Sequence, residues 1–379
     1  MKNRTLSFAK TTALVARALG MAPEELIASF QPATSRHLPG IIDLRGKVRS
    51  VPWDEASYLR WRYDFSGRSD ARSRLMVVAH GDRVLGMMGA EAVRLARGGD
   101  RLDALSTMDI LVDPDLGGAG LGAWLNTALF ATSPVVFELG ANPNSLGLIK
   151  RLFHMLPNRR QYVAPLRPRR VIARRLQSRI GSVAASIMAA PADVTMSLWR
   201  GLVFRRPPAS WSVRDLASFD SSVEDLFARR WGPEDIAIER TSGYLNWRLF
   251  ENPRARYAVL AAYERGEMIA YIAYQSRDDA DGTRVFRLVD WLVDDRHGFA
   301  GFSLLAQEIF RRALAEGAES VSVSPLHARL ERSLWRLGFV ARATSKFTTV
   351  GVRCHDPLPW PELHDGARWF LTPANSDPD

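Results

Sequence analysis

Cysteine is almost missing from this chain: Cys354 is the one example in 379 residues. That excludes a disulfide framework and a thiolate-bound metal cluster, and no metal is expected. It also suits a reducing compartment, so a cytoplasmic location is expected. Long apolar runs are missing too, and no stretch reads as a membrane span. The opening MKNRTLSFAKTTALVARALG contains no acidic residue, and Lys10 and Arg17 interrupt its apolar positions. It makes a poor signal peptide and reads as an ordinary first helix. Acidic residues are absent again from Leu166 to Ala192. Ile172, Leu176, Ile180, Val183 and Ile187 recur there at helical spacing among Arg170, Arg174, Arg175 and Arg179, and Pro191 should end the pattern. Two readings stay open: a linker helix packed on a domain, or a basic amphipathic helix in peripheral contact with an anionic membrane through residues 167–190, at its inner face.

What is present is ample core-forming material and an excess of positive charge. Hydrophobic residues make up 46% of the chain, enough for packed cores and too much for disorder. The net charge of +10 is a general pointer to anionic partners. A chain of this length suggests two domains.

The chain also repeats itself, in three segments that occur in the same order. Tyr58–Arg62 (YLRWR) matches Tyr244–Arg248 (YLNWR), and His80–Ala90 matches Glu264–Tyr274. Met108–Gly120 (MDILVDPDLGGAG) matches Val289–Gly301 (VDWLVDDRHGFAG) at a constant offset, 290 − 109 = 301 − 120 = 181. Each copy reads as helix, hairpin, strand, glycine turn, helix, strand, helix. Antiparallel strands followed by a strand–helix–strand crossover imply an α/β (α+β) fold of two tandem domains, each a mixed, mostly antiparallel sheet flanked by helices. The expected division is an N-terminal helical segment 1–45, domain 1 at 46–165, a basic linker region 166–209, domain 2 at 210–353 and a tail 354–379. Trp369 and Phe370 should dock that tail.

The glycines of LVDPDLGGAGLG, Leu111–Gly122, fall between the strand and the helix that follows it. Exposed N–H groups at a helix start suit an anion, and glycine lets it approach without a Cβ in the way. A phosphate-binding P-loop needs Lys-Ser/Thr after its last glycine, and Ala123-Trp124 stands there instead. A dinucleotide fold would tolerate Glu138 as its acid, but the preceding hairpin does not belong to it. The element order, with Val112-Asp113-Pro114 and then Gly117-Gly118-Ala119-Gly120-Leu121-Gly122, resembles the Gcn5-related N-acetyltransferase (GNAT) superfamily. The resemblance implies acetyl-CoA or another acyl-CoA as co-substrate, its pyrophosphate held by N–H groups of about Gly118–Gly122. It also implies a thioester oxyanion donor among the N–H groups near Leu111 and Val112, and contacts to the cofactor arm from Asn142 and Asn144. Gly117 stands where the family carries Arg or Gln. In the second copy Phe299 replaces Gly118 and Ser303 replaces Gly122, so domain 1 is expected to bind acyl-CoA and domain 2 is not. The family's general-acid tyrosine is absent: Leu334 and Ile149 hold its place.

Acyl transfer to an amine needs a base and an oxyanion donor. Asp109 and Glu138 are the candidate catalytic carboxylates. Asp109 recurs as Asp290, which equally fits a residue the fold requires, and Asp113, recurring as Asp294, reads as a turn cap. His154 reads as a surface histidine. Trp61 and Trp247, with Arg62 and Arg248, recur and read as core packing rather than sugar-binding walls. The expected function is acyl-CoA-dependent N-acyl transfer to a small-molecule or lipid-linked amine. The YLRWRY and YLNWRL boxes and the WFLTP tail also resemble acetyltransferase-like proteins of bacterial polysaccharide biosynthesis, which implies an amino-sugar or cell-envelope acceptor. The alternatives are a Fem-type aminoacyl transferase using aminoacyl-tRNA and a non-catalytic binding protein; intact glycines argue against the first, and a nucleic-acid partner is not expected.

Overall fold

The computed structural model describes residues 8–48, 54–68, 72–141, 143–170, 172–173, 176, 181–203, 208–279, 281–342 and 349–376. They form two compact units that are not linear in sequence: residues 1–95, 101–157 and 349–364 in unit 1, and 96–100, 158–348 and 365–379 in unit 2.

Unit 1 contains helices α1 (Phe8–Leu19), α2 (Pro23–Ser29), α3 (Leu38–Val48), α4 (Glu55–Arg62), α5 (Leu121–Phe130) and α6 (Pro143–Leu152). Its strands from the first half of the chain are β1 (Phe30–Pro32), β2 (Ser73–His80), β3 (Arg83–Arg97), β4 (Asp100–Val112), β5 (Val135–Leu139) and β6 (His154–Leu156). The period-2 alternation of β2 sorts side chains between two layers. Leu75 and Val77 pack with Ile41, Leu44, Tyr58 and Leu59 of α3 and α4. Met76 and Val78 join Val15, Leu26, Trp124 and Ile149 on the opposite face. The N-terminal helices are therefore part of this core rather than a separate segment: Trp124 Nε1 donates to Thr12 Oγ1 at 2.9 Å, and Phe8 stacks on Trp124.

Unit 2 contains β7 (Gln161–Pro165), α7 (Ser182–Val203), β8 (Trp211–Leu216), α8 (Ser222–Ala228) and β9 (Ile236–Ile238). The helical turn α9 (Ser242–Leu245) follows, then β10 (Ala258–Glu264), β11 (Glu267–Asp278), β12 (Arg284–Val293), α10 (Gly298–Ala315), β13 (Ser320–Val323), α11 (Ala328–Glu331) and β14 (Val340–Arg342). Phe302, Leu305, Ile309 and Phe310 of α10, with Val223, Leu226 and Phe227 of α8, bury the sheet in one continuous core.

The two sheets correspond strand for strand, and each is completed by a strand from the other half of the chain. In unit 1 the order is β1-β2-β3-β4-β5-β15-β6, where β15 is Val350–Cys354. In unit 2 it is β8-β10-β11-β12-β13-β7-β14. β15 pairs antiparallel with β5 and β6, and β7 pairs antiparallel with β13 and β14. The boundaries expected at 165 and 353 are corrected accordingly: 161–165 belongs to the second sheet and 350–354 to the first. A strand's own alternation does not say which edge it will join.

Two local expectations also change. Pro191 lies inside α7 instead of ending a helix. It removes the bond to the Ile187 carbonyl, but on the exposed side of the helix, where a carbonyl can bond solvent instead. The last helix of the second copy, expected over Arg329–Leu337, is two separate turns, α11 and a 3₁₀ turn at Leu334–Leu337 closed by left-handed Gly338. Ile180, Arg174, Arg175 and Arg179 lie outside the described residues.

Candidate active site

The parallel pair β4–β5 stays in register only from Leu105↔Val136 to Thr107↔Glu138. Beyond it β4 runs on to Val112 while β5 ends at Leu139, and the half-buried Met108–Val112 end of β4 forms one wall of the wedge this implies. A kink marks the parting point, because Asp109 has φ 48°, in the left-handed region that non-glycine residues rarely enter. Its side chain is pinned from the α3–α4 side. Tyr63 Oη donates to Asp109 at 2.8 Å, and Arg45 Nη1 lies 3.2 Å from its other oxygen. Burial works against charge on Arg45, but Asp109 and Glu55 hold the guanidinium protonated.

Glu138 sits at the apex of the wedge. Thr107 Oγ1 donates to its carboxylate. Burial pushes its pKa up to about 7; the Thr107 bond works the other way, and the negative charge of Asp109 adds to the rise. A carboxyl titrating near neutrality is the kind of group that can take and release a proton at physiological pH.

The glycine loop closes the open end of the wedge. Asp113 N donates to Leu85 O on β3 at 2.9 Å. Successive N–H groups along a strand point to opposite edges, so that of Val112 points toward the edge β5 has left. The Asp113 carboxylate caps the turn by accepting from Asp115 N, and Arg83 (2.7 Å) and Lys47 (3.4 Å) hold it. Burial would raise its pKa, yet those bonds keep it below the ordinary aspartate value. The N–H groups of Gly117 and Ala119 are satisfied within the turn, by Pro114 O and Leu116 O. Those of Gly118, Gly120, Leu121 and Gly122 have no acceptor among the described residues. Gly118 (φ 83°) and Gly120 (φ 77°, the residue before α5) are left-handed, which turns this run of N–H groups into a concave cradle at a helix start. A Cβ on Gly118 would meet nothing within 4 Å, so the cradle is open there.

The second copy shows what the same loop becomes when it is not a cradle. α10 begins at Gly298, a turn earlier than its counterpart α5, and Phe299 to Ser303 are wound into it. Gly298 N donates to Asp294 O and Ala300 N to His297 O, so N–H groups here are spent on the helix itself. Gly301 is retained for close packing, since a Cβ there would lie 2.9 Å from Val293 Cγ1. Phe299 thus removes the cradle by extending the helix as well as by its bulk.

The wedge of unit 2 is filled as well. Asp290–Val293 of β12 is only 0–3% exposed. The tail strand β16 (Trp369–Phe370) pairs with β9, and Leu371 bridges to Leu326 just past β13. Thr372 Oγ1 donates to Asp290 at 2.6 Å. Asp290 also accepts from Tyr271 (2.7 Å) and pairs with Arg240 (3.0 Å), repeating the Tyr–Asp–Arg chemistry around Asp109 from other elements. Tyr63, Arg45 and Thr107 were not singled out by sequence. Tyr63 directly follows the YLRWR box and Thr107 lies two residues before Asp109, whereas Arg45 carries no local signal.

The remaining candidates fall outside this arrangement. Asn144 is exposed in the first turn of α6, and Asn142 lies outside the described residues. His154 stacks on His364 at 4.1 Å. Arg62 is buried and paired with Glu91 at 2.8 Å; Arg248 donates to Ala374 O at 2.8 Å, so the repeated boxes tie helices and tail to their sheets. Among the described residues no group of three or more His, Cys, Asp and Glu side chains is placed to hold a metal ion.

No protein-family model matches the chain, and no curated protein matches it in sequence. Solved structures do match across both copies. A conserved protein of Enterococcus faecalis V583, a probable N-acyltransferase, aligns over 86% of this chain and 71% of its own, with TM-score 0.57 and 11% identity. A GCN5-related N-acetyltransferase from Anabaena variabilis ATCC 29413 aligns over 86% and 72%, with TM-score 0.54 and 12% identity. Each half of this chain has the GNAT fold. Saccharomyces cerevisiae N-myristoyltransferase, solved with bound myristoyl-CoA, also aligns, over 87% of this chain and 80% of its own, with TM-score 0.50 and 11% identity.

Proposed function

We propose that the chain is an acyl-CoA-dependent N-acyltransferase with its donor site in unit 1. The observation that carries this reading is the cradle of free N–H groups at Gly118, Gly120, Leu121 and Gly122, between the end of β4 and the start of α5. Phosphates suit those donors and the helix start behind them. The acyl arm, acetyl in the simplest case, then runs between β4 and β5. The Val112 N–H faces the thioester carbonyl as oxyanion donor.

Glu138 takes a proton from the acceptor ammonium, directly or through water. The free amine attacks the thioester carbon, its nitrogen gives a second proton to water as the C–S bond breaks, and the CoA thiolate leaves to be protonated by solvent, because Ile149 offers no acid. Asp109, already committed to Arg45 and Tyr63, serves to hold the kink at the tip of the wedge. The acceptor we propose is an amino sugar or related cell-envelope intermediate, met at the cytoplasmic face of the membrane. This part rests on the resemblance carried by the YLRWRY, YLNWRL and WFLTP segments.

The test is calorimetric titration with acetyl-CoA and longer acyl-CoAs, on wild type and on Gly118→Asp. That substitution sets a negative charge in open space at the cradle, at a φ that aspartate tolerates better than most residues. Binding by the wild type and its loss in the variant supports the transferase. Absence of wild-type binding to every acyl-CoA sinks it, and transfer from aminoacyl-tRNA in that case favours the Fem-type reading.

A further inference from the structure

We infer that α7 docks unit 2 on the surface of an anionic lipid bilayer. α7 is held by small residues on its inner face, where Ala185 and Ala189 are buried, and by Trp199, which lies against Gly338. Its outer face carries Val183, Ile187, Met188, Val194 and Leu198, each 61–73% exposed. At about 100° per residue these five and Pro191 fall within an arc of about 140°. The positions of the helix's two charged residues, Asp193 and Arg200, fall outside that arc. Scattered exposed apolar residues need no explanation, but a continuous charge-free stripe along a 22-residue helix does.

Charge identifies the occupant. From residue 166 to 206 the sequence holds nine arginines (167, 169, 170, 174, 175, 179, 200, 205, 206) against one acid, Asp193. Apolar insertion flanked by arginine is the combination that anionic headgroups reward, and a neutral protein surface would not. No helix among the described residues is long and apolar enough to cross a membrane. The contact is therefore a helix lying in the interface plane.

The test is co-sedimentation of the full chain with large vesicles of phosphatidylcholine alone and of phosphatidylcholine with an equal part of phosphatidylglycerol. Wild type is expected to pellet with the mixed vesicles, to stay in solution with phosphatidylcholine alone, and to be released by salt. Ile187→Glu with Leu198→Glu should weaken binding ~10-fold or more. Ile27→Glu, the same change at an exposed site on α2, should leave it unaltered. An unchanged thermal melt shows that the double variant is folded. Wild type remaining in solution with phosphatidylglycerol overturns the inference. So does equal binding to both vesicles, or a self-association in sedimentation equilibrium that the double variant abolishes while no vesicle binding occurs.

Discussion

The Thr107 hydroxyl donates to the Glu138 carboxylate at the last paired position before β4 and β5 separate. One residue pair thus marks both the end of the parallel ladder and the tip of the wedge. The bond favours the ionised carboxylate, whereas burial disfavours it, and burial wins.

If Glu138 is the base, activity should rise with pH through about 7. Glu138→Gln should lower kcat ~10²–10⁴-fold and abolish that acid limb while acyl-CoA affinity stays the same. Thr107→Val removes a bond to the anion, so its limb should move to higher pH. A pH profile of kcat/KM decides this; a limb that survives in Glu138→Gln assigns the base elsewhere.

The same carboxyl links stability to pH. Its folded pKa of about 7 lies above the unfolded value of about 4.3, so the folded state binds more protons between them. Its contribution is harmless below about pH 4 and becomes fully unfavourable above about pH 7. Glu138→Gln should therefore gain stability relative to wild type as pH rises across that window. Urea midpoints at pH 4.5, 6 and 8 would show it, and a constant gap would contradict it.

Two glycines that look alike in sequence should fail differently. Gly301→Ala drives a Cβ to within 2.9 Å of Val293 and should cost roughly 1–3 kcal/mol, with acyl-CoA affinity untouched. Gly118→Asp should do the reverse, losing at least ~10-fold in affinity for a small change in melting temperature. Paired calorimetry and thermal melts separate the two.

Arg62 and Glu91 are paired at 2.8 Å with side chains 1% and 4% exposed. Arg62→Met removes a buried counter-charge from the Glu91 carboxylate and should cost ~3–5 kcal/mol. Adding Glu91→Leu should restore most of it. A double-mutant cycle on denaturation midpoints gives the coupling, and additivity would show that the pair does not act as a unit.

Much of this architecture is legible in the sequence because repetition and alternation are local. The hairpins, the β4 and β12 strands and the glycine turn can each be read from a dozen residues. The differences between Gly118 and Phe299 and between Gly122 and Ser303 are local too, and they set the two loops apart. What is not legible is set by distant partners. The Asp109 carboxylate is fixed by Arg45, which lies outside all three repeated segments. The filling of the second wedge depends on Leu371 and Thr372 returning from the far end of the chain. Pro191 misleads because a proline on the exposed side of a helix frees a carbonyl that solvent can satisfy, and Ile187 and Pro191 are both exposed.

The exchange of β7 and β15 has a consequence for how such a chain can change over time. Each copy carries, at its end, a strand with neighbours on both sides in the sheet of its twin. Discarding either copy would split the surviving sheet between two strands and bare both edges. The second copy is therefore free to change its loop but not its place in the chain. A duplication interlocked in this way cannot be trimmed back to one copy without leaving a gap in the sheet that remains.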